Sequence, residues 1–260
     1  MSEHELAGAT ALVTGASRGF GRGIATALSG AGARVVGVAR DRAALDELRA
    51  ELGGSFTAVP ADAADPTVAG QLIDAYRPAI LVLNAGATPL PRPIHHHTWQ
   101  TFSSNWDTDV QHVFNFTREV LLAPLAPGSM VVTLSSGAAL HGSPLSGGYA
   151  GAKAAVRFIT SYAAEESTRA RLGIRFVSLL PQLTPATALG SVYVAAYTAR
   201  DSDGVGARQG GDQGQALTPE IVGQAITSLV TGPGPDQDAY VLSAAGLRPL
   251  PPGSPAVTQA

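Results

Sequence analysis

The chain has 260 residues, a formal net charge of −3 and a 45% hydrophobic fraction, so it can bury one large apolar core. Only 14% of its residues are charged and no basic block stands out, which removes nucleic acid and an anionic membrane surface as expected partners. The absence of cysteine excludes a disulfide framework, thiolate catalysis and cysteine-bound metal. The opening residues are acidic and lack an apolar signal core, and no apolar run approaches the roughly 18 residues of a membrane span. A soluble, cytoplasmic protein is expected.

Along the chain, apolar runs of strand length alternate with helix-length segments. Strands are predicted at 10–14 (TALVT), 34–38, 55–59, 79–83, 130–135, 174–180 and 239–243. Most are continuous in Val, Ile and Leu rather than alternating, the pattern of strands covered on both faces. Helices are predicted at 20–30, 41–51, 66–76, 98–122, 149–170 and 218–230. This alternation implies an α/β fold: a doubly wound parallel sheet of about seven strands with helices on both faces, in three layers.

Two stretches break the rhythm. Residues 88–97 are rich in Pro and His and read as a loop. Residues 182–217, with a short apolar segment and then the polar, glycine-rich run 201–215, read as an irregular substrate loop or lid. The proline-rich end is not expected to pair in a sheet, so the division is one unit over 1–248 and a loose tail over 249–260.

The first predicted strand runs into Thr14-Gly15-Ala16-Ser17-Arg18-Gly19-Phe20-Gly21, followed at once by a helix. Small residues there permit a tight turn, and the amides of the helix N-terminus attract a pyrophosphate. A glycine-rich turn without a ligand is the plainer alternative; the strand–loop–helix setting at the first crossover favours a dinucleotide. The spacing G-x-x-x-G-x-G, with the motifs below, resembles the short-chain dehydrogenase/reductase family, classical type, and the resemblance runs in order to about residue 187. It implies a Rossmann-type fold, a nicotinamide cofactor and a small carbonyl or alcohol substrate.

Arg40, at the end of the second strand, stands where an acid would select NAD; a basic residue there suits a 2′-phosphate. With Arg18 in the glycine loop it favours NADP(H) over NAD(H) through charge-assisted bonds. The family resemblance assigns Gly15, Ser17, Gly19, Phe20 and Gly21 to the pyrophosphate turn and Asp62 to the adenine. It gives Asn84, Ala85 and Gly86 the support of the sheet beside the cofactor, and Pro181 and Thr184, with Thr187 as the alternative to Thr184, the nicotinamide end.

Tyr149-Ala-Gly-Ala-Lys153 places a phenol and an amine at i and i+4, on one helical face. A free tyrosine, with a pKa of about 10, is a poor base at neutral pH; a nearby cation favours its phenolate. Such a pair is common by chance. Ser136 stands at the end of the preceding strand, at the family's spacing from Tyr149, and no nucleophile elbow surrounds it. The resemblance then implies that Tyr149 is the general acid and base, that Lys153 tunes it and binds the nicotinamide ribose, and that Ser136 orients the substrate oxygen.

The resemblance implies a fourth catalytic residue, usually an asparagine that supports a water chain to the lysine, and here the chain departs from the family: alignment puts Asp109 in that catalytic place, with Asn105 one turn earlier. A carboxylate beside Lys153 is expected to stabilise the ammonium. Gln182 replaces a usual glycine after Pro181, where its side chain would narrow or polarise the pocket, and 245–249 lacks the usual closing glycine pattern. His95-His96-His97 reads as a solvated loop and no metal is expected. His141 is a candidate for the substrate mouth, against an equal reading as a plain loop residue. Trp99, Trp106 and Phe114 recur at helical spacing and read as core or subunit packing. The expected function is an NADP(H)-dependent carbonyl reductase or alcohol dehydrogenase. The alternatives are an NADP(H)-binding regulator with weakened catalysis, and an epimerase or dehydratase of the extended branch. A homodimer or homotetramer through 98–122 and 149–170 is expected by analogy.

Overall fold

The seven apolar runs form seven parallel strands in the computed structural model, which describes residues 5–202, 216–233 and 237–250. They are β1 (Thr10–Thr14), β2 (Arg34–Ala39), β3 (Phe56–Pro60), β4 (Ile80–Leu83), β5 (Met130–Leu134), β6 (Arg175–Pro181) and β7 (Ala239–Ser243). An eighth strand, β8 (Gly246–Pro249), adds antiparallel to β7, giving the order β3-β2-β1-β4-β5-β6-β7-β8. The order reverses between β1 and β4, and ligands bind outside the carboxyl ends of strands at such a switch point.

β8 corrects the expectation of a tail from 249. Pro249 pairs with Tyr240 on the edge strand, where a missing N–H costs least, and the Leu250 amide donates to the Ala239 carbonyl at 2.9 Å. Leu250 is buried against Leu180, Ala239 and Val241. Residues 251–260 of the expected tail lie outside the described residues.

The helices covering one face are α1 (Gly19–Gly30), α2 (Arg42–Leu52) and α9 (Pro219–Thr231), which contribute Ile24, Leu28, Leu45, Leu48, Val222 and Ile226 to one core cluster. On the other face α3 (Pro66–Tyr76), α5 (Gln111–Leu122) and α7 (Tyr149–Arg169) contribute Ile73, Phe116, Val120 and Val156 to a second. Helix starts follow local chemistry: Asp41 accepts from the Ala44 amide, Asp65 precedes Pro66, and Thr218 precedes Pro219. Among the described residues no helix is long and apolar enough to cross a membrane.

Three departures bear on the site. The single helix expected over 98–122 is α4 (Trp99–Asn105), a π-helical turn (Trp106–Val110), then α5. A short α6 (Ala138–His141) follows β5. The segment expected to be irregular contains α8 (Ala188–Ser202), seated by Thr187, whose hydroxyl accepts from the Gly190 amide at 3.1 Å. The polar run expected over 201–215 lies, beyond Ser202, outside the described residues. Trp99, Trp106 and Phe114 are exposed rather than in the core. Trp106 still packs locally, its indole N–H donating to the Gly148 carbonyl at 3.2 Å.

Candidate active site

At the end of β1 the backbone turns through Gly15, at φ +67°, and its amide donates to the Val38 carbonyl at 2.7 Å, tying the turn to β2. α1 then starts so close to this turn that a Cβ on Gly21 would stand 2.1 Å from the Gly15 carbonyl oxygen. Its N-cap, Arg18, makes no side-chain capping bond, and the first turn holds no acidic residue. The protein therefore leaves these amides and the positive end of the helix dipole unanswered, which fits an anionic phosphate. Asn84 braces the turn from β4, donating to the carbonyls of Thr14 at 3.0 Å and Gly15 at 3.3 Å. The Thr14 hydroxyl in turn accepts from the Asn84 and Ala85 amides. Ser17 and Phe20 complete the turn, both half-buried.

Arg18 and Arg40 are exposed along the same rim. Arg40 reaches Asp62 only at 3.8 Å, while Asp62 caps its own turn by accepting from the Ala64 amide.

Across the switch point, the end of β5 and the first turns of α7 are tied by buried polar bonds. Ser135 donates to the Lys153 carbonyl at 2.7 Å, and the Thr133 and Thr160 hydroxyls lie 2.8 Å apart. The Lys153 ammonium is buried, donates to the Leu134 carbonyl at 3.0 Å, and lies 5.8 Å from the centre of the Tyr149 ring. Ser136 stands just beyond β5, its oxygen accepting from the Ala138 amide at 3.1 Å, so its own proton remains free to donate.

The expected meeting of Asp109 with Lys153 is present: Nζ and Oδ2 are 3.0 Å apart, both side chains buried. The other carboxylate oxygen accepts from the Ala87 amide at 2.8 Å. Gly86 makes this possible, because a Cβ there would stand 2.9 Å from Asp109 Oδ2. Asn105 bridges the assembly, donating to the Ala87 carbonyl at 3.0 Å and to Asp109 Oδ1 at 3.4 Å. The π-helical turn begins directly after Asn105 and contains Asp109; such turns recur at functional sites. Burial alone pushes the Lys153 ammonium towards its neutral form. The Asp109 carboxylate and then the Tyr149 phenol outweigh that penalty and leave its pKa above the ordinary lysine value.

Sequence reasoning passed over His112, Tyr193 and Tyr197. His112, one turn after Asp109, is fully buried with its ring edge-on to Phe116 at 5.3 Å. Among the described residues neither ring nitrogen has a well-formed hydrogen-bond partner, and burial followed by the Lys153 charge holds its pKa down at about 3. The acid shift arises from tertiary surroundings that no local pattern encodes. On α8, Tyr193 lies 6.1 Å from the Tyr149 ring and 6.1 Å from the Tyr197 ring. The i, i+4 spacing of these tyrosines was the available signal, obscured by the expectation of a loop.

Of the remaining predicted residues, the Pro181 carbonyl accepts from the Gly137 amide at 2.9 Å at the mouth of the site. Thr184 is buried and caps the Ala186 amide, and Gln182 is exposed, its amide donating to the Leu242 carbonyl. His95, His96 and His141 are exposed. His97 is held by Thr101 at 3.1 Å and lies against Gly147.

Residues 9–195 match the family model described as short chain dehydrogenase. The chain belongs to that family. It is 34% identical to bovine L-xylulose reductase over 183 residues, which is 69% of this chain and 74% of that one. It is 35% identical to the serine 3-dehydrogenase of Agrobacterium fabrum over 159 residues, 57% of this chain and 61% of the relative. Among solved structures it is similar to the Pseudomonas aeruginosa RhlG/NADP active-site complex, with a TM-score of 0.76 and 26% identity over 94% of this chain and 98% of the other. The 3-ketoacyl-(acyl-carrier-protein) reductase of Brucella melitensis complexed with NADH gives 0.73 at 27% identity, over 88% and 92%. The chain is accordingly a short-chain oxidoreductase of a family that uses nicotinamide cofactors.

Proposed function

We propose that this chain is an NADP(H)-dependent carbonyl reductase or alcohol dehydrogenase in which Ser136, Tyr149 and Lys153 carry the chemistry. The observation that carries this reading is the Lys153 ammonium, buried beside the Tyr149 ring and fixed by Leu134 and Asp109. Two of its three N–H bonds are committed, which leaves one for the nicotinamide ribose and its charge for the phenol. When bound, the nicotinamide supplies or accepts the hydride at the carbonyl carbon. Tyr149 gives its proton to the carbonyl oxygen as charge develops there, and Ser136 donates a hydrogen bond to the same oxygen. The ammonium stabilises the phenolate left behind, and oxidation of an alcohol runs the same path in reverse.

Asp109 acts here as a positioning residue, holding the amine and the Gly86–Ala87 backbone together. Gly15, Ser17, Gly19, Phe20 and Gly21 hold the pyrophosphate; Asp62, with Asn84, Ala85 and Gly86, flanks the adenosine and ribose side; Pro181 and Thr184 flank the nicotinamide. NADP(H) is favoured because two exposed guanidiniums share one rim and Arg40 has only a long contact for a 2′-phosphate to displace. Exposed Phe114 and Leu122 on α5, and the stacked, exposed pair Phe158 and Tyr162 on α7, support a homo-oligomer built on those helices.

Oxidation of NADPH against a panel of ketones, aldehydes and quinones tests the reading, with Tyr149→Phe as control. Turnover by the native chain that the variant loses is the expected result. Binding of NADPH without turnover of any carbonyl would identify a cofactor-binding regulator instead, and tighter binding of NADH than of NADPH would overturn the assignment of Arg18 and Arg40.

A further inference from the structure

Beside the Tyr149 phenol the buried charges come as one opposed pair. The Asp109 carboxylate is 1% exposed and accepts from three N–H donors: the Ala87 amide at 2.8 Å, the Lys153 ammonium at 3.0 Å and the Asn105 side chain at 3.4 Å. Both its oxygens act as acceptors, as those of an ionised carboxyl group do. Lys153 is 6% exposed, and this carboxylate keeps its ammonium charged against the cost of burial. Neither charge is free to move off. Asn105 and Asp109 together hold both polar atoms of Ala87, Asp109 taking its N–H and Asn105 donating to its carbonyl at 3.0 Å. Lys153 is tied on its other side to the Leu134 carbonyl at 3.0 Å.

The other titratable groups around the phenol leave that sum unchanged. His112 on α5 is fully buried and neutral, burial and then the Lys153 charge holding its pKa at about 3. Tyr193 on α8 is neutral too, its pKa pushed up by burial and then by the Tyr149 and Tyr197 phenols. Strands β4 and β5 carry no titratable side chain. With Tyr149 protonated, the cluster is therefore neutral, one ammonium against one carboxylate. Loss of the phenol proton gives it a net negative charge, which burial penalises. An uncharged residue at 109 would reverse the preference, because the cluster would be cationic before that loss and neutral after it. Reduction of a carbonyl needs the protonated phenol, and oxidation of an alcohol needs the phenolate.

We infer, resting on the reductase reading, that the charge of Asp109 sets the pH range of the two directions of the reaction. By offsetting the Lys153 ammonium, it keeps carbonyl reduction at full rate into the alkaline range and brings alcohol oxidation to full rate only there. Asp109 acts through Lys153, whose Nζ lies 5.8 Å from the centre of the half-buried Tyr149 ring, and so is a positioning residue. In reduction the carbonyl carbon receives the hydride and its oxygen the Tyr149 proton, which solvent then replaces. In oxidation the phenolate takes the hydroxyl proton of the alcohol while the hydride passes to NADP+. The phenol must then lose that proton to solvent before the next turnover.

The experiment records kcat/KM against pH in both directions, with saturating NADPH and the ketone or aldehyde of the panel that turns over fastest, then with saturating NADP+ and the matching alcohol. In the native chain, reduction is expected to stay level from about pH 6 to about pH 8, while oxidation rises roughly tenfold per unit over the same range. In Asp109→Asn the bend of both profiles is expected about one to two pH units lower. Asn105→Leu also loosens the hold on Ala87 but removes no charge, and its bend should stay within about 0.3 unit of the native one. Melting temperatures identify any variant that has lost its fold, and the native profile then decides alone. Oxidation already level at about pH 7 in the native chain overturns the inference without any variant, as does an unmoved bend in folded D109N. An equal displacement in N105L assigns the effect to packing rather than charge and also overturns it. No turnover of any carbonyl by the native chain overturns the reductase reading, and this inference with it.

Discussion

The two walls of the site are built on opposite rules. On the inner wall, where β5, α7 and the π-helical turn meet, the buried side chains of Ser135, Lys153, Asp109 and Asn105 have protein partners, linked from Ser135 through Lys153 and Asp109 to Ala87, with His112 the buried exception beside them. On the outer wall, α8 brings in a buried phenol that has none among the described residues. A satisfied network fixes atoms in place, which suits proton transfer and the holding of a cofactor. An unsatisfied group waits for its partner, which suits discrimination between substrates.

Changes to the inner wall should therefore cost rate or stability without altering which carbonyl is preferred. The largest expected effect is in Tyr149→Phe, which removes the transferable proton. Steady-state assays should show kcat reduced by about 10³-fold or more with NADPH affinity retained, since general acid–base groups supply roughly 10²–10⁴-fold. Retention of a tenth of native activity would break the comparison at its centre.

Lys153→Met comes next, because it leaves the Asp109 carboxylate buried and unpaired. Loss of one partner of such a pair costs about 3–5 kcal/mol, whereas Lys153→Met with Asp109→Leu should restore most of it, both read by urea unfolding. Equal stability of the single and double variants would show that the pair is not the tie that it resembles.

Substitution of both rim arginines, Arg18→Ala with Arg40→Ala, should weaken NADPH binding by roughly 10–100-fold and NADH binding far less, read by titration of cofactor fluorescence. A parallel loss for both cofactors would move these residues from the 2′-phosphate to general electrostatics.

The smallest effect concerns His112, whose pKa is held near 3 against an ordinary value of 6.5 by burial first and by the Lys153 ammonium second. Asp109 is the other charged group of that cluster. The unfolded chain takes up a proton at His112 below pH 6.5 and the folded chain does not until about pH 3. This residue's share of stability is therefore full above pH 6.5 and is lost progressively as the pH falls towards 3, by up to about 1.4 kcal/mol per pH unit. His112→Leu should flatten the fall of melting temperature between pH 6.5 and 5 relative to the native chain. An unchanged slope would mean that the ring charges freely in place.

Much of the molecule was legible because its signals are local. A parallel strand buried on both faces must be apolar throughout, so all seven parallel strands could be read, most within a residue of their ends. The glycine turn was legible because Gly15 needs a positive φ and Gly21 a missing Cβ, both properties of single residues. Tyr149 and Lys153 share one face at i, i+4, but they stood out only because their spacing from Ser136 resembles that of the family, as does the position of Asp109 among its aromatic neighbours.

What the sequence alone determined, then, is the layered α/β architecture and the glycine turn, set by periodicity and side-chain chemistry within a few positions; the candidate proton-transfer residues were marked by resemblance to the family. Tertiary structure alone decided that the chain after 182 coils into a helix against the site, that Leu250 is sealed in the core, that His112 is stripped of solvent, and that the Tyr193 hydroxyl is buried without a hydrogen-bond partner among the described residues. Each of these depends on which groups from distant segments arrive at the same place, and burial and hydrogen-bond satisfaction are properties of that meeting rather than of any one stretch of chain.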